Sequence, residues 1–296
     1  MQAAIEKAGV LLEAHSWIRQ FRDKIVVIKL GGSVMQEEIL ESALHDIVFM
    51  ATVGLHPVIV HGGGPSINDA MEEAGIVPQF IQGRRYTDAD TLAIVEDVLA
   101  GSVNNNIADK IEELGGRAMT LNFKSTPVLI GEKISLLDET GSDIDLGSVG
   151  TVLHVDTSVI ENLCYAEQIP VIPSMCLNEQ GDKFNVNADS AATAVAQALR
   201  AEKLVFLSDI PGVLQDKNDP DSLIHTLTVD QANDAITEGI IGEGMLPKVE
   251  ACLETIGSGV NKVHIIDGRV KHSLLLEIYT DVGIGTEIIS NETTNG

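Results

Sequence analysis

Short runs of Val, Ile and Leu recur along the chain at 25–28, 58–60, 169–172, 204–207 and 263–266. Uninterrupted apolar runs of this length suit parallel strands buried on both faces. Between them the apolar positions take up helical spacing over 36–53, 66–74, 88–114, 189–200 and 246–257. Strands alternating with helices predict an α/β fold on a mainly parallel sheet. Residues 118–155 break the rhythm with short alternating runs and Thr, Gly and Asp turns, which predict inserted β-hairpins as a lid over one end of a site. Ahead of the first strand, residues 4–21 predict an amphipathic helix with Val10, Ala14, Trp17, Ile18 and Phe21 on one stripe. That stripe suits packing on its own core or contact with another copy of the chain. Its polar face is not basic, as a membrane-surface helix would require. Residues 215–222 read as a polar surface loop, and the tail from Ser290 is expected to fray.

Composition narrows the classes. With 44% apolar residues in 296, the chain can bury a large core, either as one domain or as two lobes. Aromatics are 3%, so aliphatic side chains must fill it. The formal net charge of −25 argues against nucleic acid as a partner. It also makes any gathering of cations informative, because an anionic ligand would need them. Cys164, Cys176 and Cys252 form no paired spacing and are expected to be buried thiols in a reducing, cytoplasmic setting. No apolar run approaches the roughly 20 residues of a membrane span, and the first residues lack a secretory pattern.

Chemistry clusters after the strands, where ligands bind in open parallel sheets. Lys29-Leu-Gly-Gly-Ser33 places a cation and two glycines at a strand end, suited to a phosphate against backbone N–H groups. It is not a Walker A loop. His61-Gly-Gly-Gly-Pro65 repeats the design at the next strand without matching the dinucleotide fingerprint, since residue 67 is Ile. His61 itself is open to a structural or a functional role. Arg84 and Arg85 precede a helix that Asp88 can cap, and a guanidinium can clamp a carboxylate substrate. Asn185 and Asn187 alternate before an Ala-rich helix, and Asp189 suits either capping that helix or orienting lysines. The Ser208–Leu214 loop suits a ring or phosphate, and Lys248 opens a later helix after flexible glycines. Two separated lysines are what phosphoryl transfer needs. No residue set suggests a dedicated metal site.

Taken in order, Lys29-Leu-Gly-Gly, His61-Gly-Gly-Gly-Pro, the Arg85 motif, Asn185-Val-Asn-Ala-Asp189, the 207–214 loop and the Lys248 motif resemble the amino acid kinase family. The likeness runs from about residue 24 to Ile288 and is nearest to the acetylglutamate-phosphorylating, arginine-sensitive hexameric branch. The resemblance implies a three-layer αβα sandwich and ATP-dependent phosphorylation of the γ-carboxylate of N-acetyl-L-glutamate in arginine synthesis, with Mg²⁺ held mainly by the nucleotide phosphates. It implies an N-terminal helical extension over 1–22, an acetylglutamate lobe over 23–200 and an ATP lobe over 201–296, together one kinase domain. Lys29 and Lys248 would stabilise the transferring phosphoryl group, with Asp189 orienting both. Gly63, Gly64, Arg85, Asn185 and Asn187 would hold acetylglutamate. Gly31, Gly32, Ser208, Asp209, Gly212 and Leu214 would hold ATP. By the same likeness His264, Glu277 and Gly283 would contact arginine as effector. The N-terminal helix would build a hexamer, a dimer being the simpler alternative, and a PII-type protein is a conceivable partner.

The sibling kinases of carbamate, glutamate and aminoadipate-type substrates share the Lys-Gly-Gly start, but Arg85 with Asn185 favours acetylglutamate. A non-catalytic arginine sensor is disfavoured by intact Lys29, Asp189 and Lys248. The chain departs from the pattern at Arg84 and Tyr86, and at 122–131, which lacks a Gly-rich turn.

Overall fold

The computed structural model describes residues 1–137, 141–242, 245–280 and 283–291. Eight strands form the main sheet: β1 Ile25–Leu30, β2 His56–His61, β3 Ala118–Thr120, β4 Ile169–Pro173, β5 Lys203–Ser208, β6 Thr226–Thr228, β7 Lys262–Asp267 and β8 Thr286–Ile289. Their order is β6-β8-β7-β5-β1-β2-β4-β3. The run from β7 to β3 is parallel throughout. At the far edge β8 is antiparallel to β7, and β6 is parallel to β8. The five apolar runs read from the sequence are the five central strands. The edge strands β3, β6 and β8 are shorter and were not separately expected.

The helices are α1 Gln2–Phe21, α2 Glu37–Thr52, α3 Gly64–Glu73, α4 Ala89–Asp97, α5 Asn104–Glu113, α6 Thr157–Tyr165, α7 Ala188–Leu199, α8 Val229–Thr237, α9 Leu246–Gly257 and α10 Ser273–Ile278. They cover both faces of the sheet, which is why its central strands are mostly apolar on both sides. Along β1, Val27 packs into the cluster containing Ile160, Ala192, Ala232 and Val249 of α6, α7, α8 and α9. Val26 and Ile28 point into the other, with Leu44, Ile67, Ile107 and Leu274 of α2, α3, α5 and α10. This alternation defines three layers.

Two features modify the expected pattern. The helix predicted over 88–114 is interrupted by a six-residue π turn, Val98–Val103. Gly101 lowers helical preference there, and Ser102 Oγ donates to the Val98 carbonyl. The inserted hairpins form a second, four-stranded sheet from 129–133, 150–155, 175–177 and 183–185. Residues 138–140 of that region lie outside the described residues, as do 292–296 of the tail.

The stripe of α1 divides in two. Trp17, Ile18 and Phe21 pack on the core, whereas Val10 is exposed, as are Ile5 and Leu12 outside the stripe. The three cysteines are buried and free, as expected.

Candidate active site

The carboxyl ends of β1 and β2, the first turn of α7 and the first turn of α9 converge. Lys29, the penultimate residue of the buried β1 strand, extends its Nζ to 2.8 Å from Asp189 Oδ1. Lys248, entering from α9, lies 3.3 Å from the other oxygen, Oδ2. Burial raises the Asp189 pKa, but the two ammonium groups outweigh it and hold the carboxyl below its usual range. One carboxylate between two lysines leaves a net positive charge at the rim. The two cations that the sequence places far apart are therefore brought to one group.

Asp189 is free for this role because it is not the helix cap. Asn187 is: its Oδ1 accepts from Asp189 N at 2.9 Å and Ser190 N at 3.1 Å. The capping role considered for Asp189 is corrected, and the amide oxygen of Asn187 is committed to the helix. Its neighbour Asn185 donates from Nδ2 to Thr87 Oγ1 at 3.2 Å.

The glycines are required by close approach. A side chain on Gly31 would lie 2.9 Å from the Leu207 carbonyl, and one on Gly32 would lie 2.8 Å from Pro65 Cδ. The loops after β1 and β2 therefore touch. Gly62 abuts Ala188 at the start of α7, and Gly63 abuts Leu99 of the π turn. A side chain on Gly64 would meet only open space. The cap of α3, Gly63, provides no side-chain bond to the first N–H groups of that helix, which leaves them for an anion.

Arg85 is buried, with its guanidinium donating to Asn68 Oδ1 at 2.6 Å and Met71 Sδ at 3.2 Å, and stacked 4.8 Å from the Phe80 ring. Among the described residues no carboxylate pairs with it. Burial lowers its pKa. A sequestered cation without an anion is costly unless a ligand supplies one. Thr87 ties this arginine to Asn185, since its Oγ1 donates to the Arg85 carbonyl at 2.9 Å. Asn68, Phe80 and Thr87 were not singled out from the sequence. The signal was Thr87 lying two residues past Arg85.

The 208–214 loop borders a cleft of about 800 Å³ lined by Pro211, Gly212, Leu214, Lys217, Gly242 and Met245. Gly212 has φ +136, a conformation that favours glycine, and its backbone crowds Thr286. Ser208 and Asp209 stand at the end of β5, Ser208 Oγ donating to Asp209 Oδ1 at 3.2 Å. The cleft runs to the N-terminus of α9 and hence toward Lys248. Lys217 was read only as part of a surface loop. Glu243 and Gly244 of the Lys248 motif lie outside the described residues.

At the opposite, amino end of β5 and β7 lies a smaller cavity of about 160 Å³, lined by Trp17, Phe21, Lys203, His264, Glu277 and Gly283 among others. The structure thus brings the three effector candidates together. His264 Nδ1 is 2.6 Å from Glu277 Oε1, while Ile284 N and Gly285 N donate to Oε2 at 2.7 and 3.0 Å. Burial raises the Glu277 pKa, but these donors outweigh it and hold the carboxyl at about 2. Lys203 Nζ lies 3.1 Å from His264 Nε2 and 4.9 Å from the Phe21 ring centroid. Burial and nearby Lys262 push Lys203 down to about 8. Asp281 and Val282 lie outside the described residues.

An αβα sheet whose carboxyl rim presents two lysines, bare glycine loops and a nucleotide-sized cleft defines a phosphoryl-transfer enzyme. The chain belongs to the amino acid kinase family, whose model matches residues 24–267. It is 45% identical over 294 residues to the acetylglutamate kinase of Heliobacterium modesticaldum, covering 98% of this chain and 100% of that one. Against the acetylglutamate kinase of Synechococcus elongatus it is 45% identical over 289 residues, covering 97% and 94%. Among solved structures, N-acetylglutamate synthase from Neisseria gonorrhoeae complexed with coenzyme A and N-acetyl-glutamate superposes with TM-score 0.83 at 26% identity. That match covers 95% of this chain and 63% of the synthase. Carbamate kinase from Giardia lamblia bound to AMP-PNP shares the fold, with TM-score 0.64 at 16% identity over 90% of this chain and 99% of that one.

Proposed function

We infer that the chain transfers the γ-phosphoryl group of ATP to the γ-carboxylate of N-acetyl-L-glutamate, a step of arginine biosynthesis. The observation that carries the chemistry is the pair of lysines on Asp189; the near full-length relatives support the acceptor. The acceptor carboxylate is already ionised at neutral pH, so no general base is needed. The task is to bring two anions together in line, which Lys29, Lys248 and the glycine N–H groups address electrostatically.

The layout supports an orientation for the acceptor. Gly63 and Gly64 follow Gly62, which abuts Ala188 next to the lysine-bound Asp189, while Asn68, which holds Arg85, is one turn further along α3, roughly 6 Å. That spacing suits a dicarboxylate with its reacting group at the glycines and its other carboxylate at Arg85 and Asn185. Gly31, Gly32, Ser208, Asp209, Gly212 and Leu214 are assigned to ATP. Among the described residues no cluster of three or more His, Cys, Asp or Glu side chains could hold a metal ion. Mg²⁺ is assigned to the nucleotide phosphates, whose charge it would offset.

The cavity at Glu277 is assigned to arginine as effector. The exposed Ile5, Val10 and Leu12 of α1 support assembly through that helix, as a hexamer, with a PII-type protein as a further partner. A hydroxylamine-trap assay with MgATP tests the reaction. Turnover with acetylglutamate and not with carbamate or glutamate is expected. The reverse preference overturns the substrate, and inactivity together with arginine binding favours a sensor. Activity that ignores millimolar arginine would sink the effector site.

A further inference from the structure

His61 is fully buried at the end of β2, and the phosphoryl-transfer chemistry does not use it. Its Nδ1 lies 2.9 Å from the Gly62 carbonyl oxygen, which can only accept, so Nδ1 carries the proton. Nε2 is then an acceptor, and it receives the Asn104 amide at 3.0 Å. The same Asn104 Nδ2 also donates to the Val171 carbonyl of β4 at 3.1 Å. Asn104 Oδ1 accepts from Asn122 Nδ2 at 2.7 Å, which reaches on to the Ala100 carbonyl in the π turn at 3.4 Å. Every hydrogen-bonding position of the Asn104 amide hydrogens is occupied, so the amide cannot flip and His61 is held in one tautomer. Desolvation pushes the imidazole down to about 4, which keeps it neutral through the working pH range.

The result is a grip on one peptide unit. Gly62 O and Gly63 N–H belong to the same planar trans peptide and point in opposite directions. Pulling the Gly62 carbonyl inward to His61 therefore turns the Gly63 N–H outward. Among the described residues that N–H has no backbone acceptor. From the other side, Leu99 of the π turn closes on the Gly63 Cα. The π turn and the histidine thus fix the same residue, and Asn104 and Asn122 join them.

We propose that His61 and Asn104 are positioning residues for the phosphoryl acceptor: the imidazole aims the Gly63 N–H at an oxygen of the acceptor carboxylate, and Asn104 sets the tautomer that makes this aim possible. The inference rests on the reading that Gly63 and Gly64 bind the acceptor.

Three variants of the full chain test both levels in the hydroxylamine-trap assay. His61→Gln keeps an acceptor near the Nε2 position for Asn104 but loses the donor to Gly62. His61→Asn keeps a donor near the Nδ1 position and loses the Asn104 link. The Gln variant is expected to lower kcat/KM for acetylglutamate about tenfold more than the Asn variant, with KM for ATP within about twofold of the parent in both. Equal effects of the two, or a shared loss in melting temperature with unchanged kcat/KM, overturn the inference. Gly64→Ala places a methyl group in open space and probes the underlying reading. If it leaves KM for acetylglutamate unchanged, the loop does not bind the acceptor. If it raises KM while His61→Gln has no effect, only the positioning role fails. Should His61→Gln not fold, Asn104→Ser carries the same expectation at about threefold, again with KM for ATP unmoved.

Discussion

The two ends of β5 offer opposite arrangements of charge. On the carboxyl side, at the end of neighbouring β1, one carboxylate is shared by Lys29 and Lys248, and Arg85, held against α3, pairs with no carboxylate among the described residues. At its amino end Glu277 is saturated by an imidazole and two backbone N–H groups, and the cation left over, Lys203, is pushed toward neutrality. Both are buried ionic clusters, yet only the first is left short of negative charge. Burial alone does not mark a catalytic site. Uncompensated positive charge beside bare backbone N–H groups does, because a transferring phosphoryl group supplies what is missing.

The largest effect that can break this comparison is at Lys248. Lys248→Ala is expected to lower kcat by about 10³-fold while KM for acetylglutamate moves only a few-fold, since the cation acts on charge that develops during transfer. Steady-state kinetics would overturn the assignment by showing kcat preserved and KM raised. At the other end of the strand, Glu277→Gln is expected to cost about 3 kcal/mol in urea unfolding, because His264 and two N–H groups lose a charged acceptor. It should also remove the response to arginine. A loss within experimental error would mean that the saturated carboxylate is not a fixed part of the core.

The smallest effect concerns Lys203 and has a defined sign. Its folded pKa of about 8 lies below the ordinary lysine value of 10.5, so at pH 7 the folded state bears the full penalty of a charged, buried ammonium. Between those two values the unfolded chain keeps a proton that the folded chain has released, and stability rises with pH across that window. The ceiling implied by such a shift is about 3 kcal/mol, reduced by the lost stacking on Phe21 to a net of about 1 kcal/mol. Lys203→Met should therefore be more stable than the parent at pH 7 and lose that lead by pH 10. Parallel urea curves at the two pH values check it, and a lead that persists at pH 10 would point to packing rather than charge.

The central sheet was legible because strands buried on both faces carry few polar positions to blur their apolar runs, as Val26, Val27 and Ile28 illustrate. Edge strands such as Thr226–Thr228 are half-exposed and too short to leave a period. At the rim, Lys29, Lys248 and Arg85 could be read because basic residues are scarce in this chain and these follow strands or open helices, and Asp189 because it opens the Ala-rich helix. Asn68, Met71 and Thr87 could not, since a polar residue supporting a guanidinium has no signature until the fold brings it near. The cap at Asn187 was missed because Asp189, two residues on, is an equally good capping residue by type. The π turn was hidden inside a pattern that reads as one helix, with Gly101 its only outward trace.

That turn makes chain length part of the code. A π turn accommodates one residue more than an α-helix would over the same span. The turn already holds that extra residue, so inserting a further one between Val98 and Val103 would rotate everything beyond it by about 100°. Asn104 would leave His61, and Ile107 and Ile111 would swing off the core they now fill. No substitution at those positions could restore them. In this segment the number of residues, and not only their type, is thus specified.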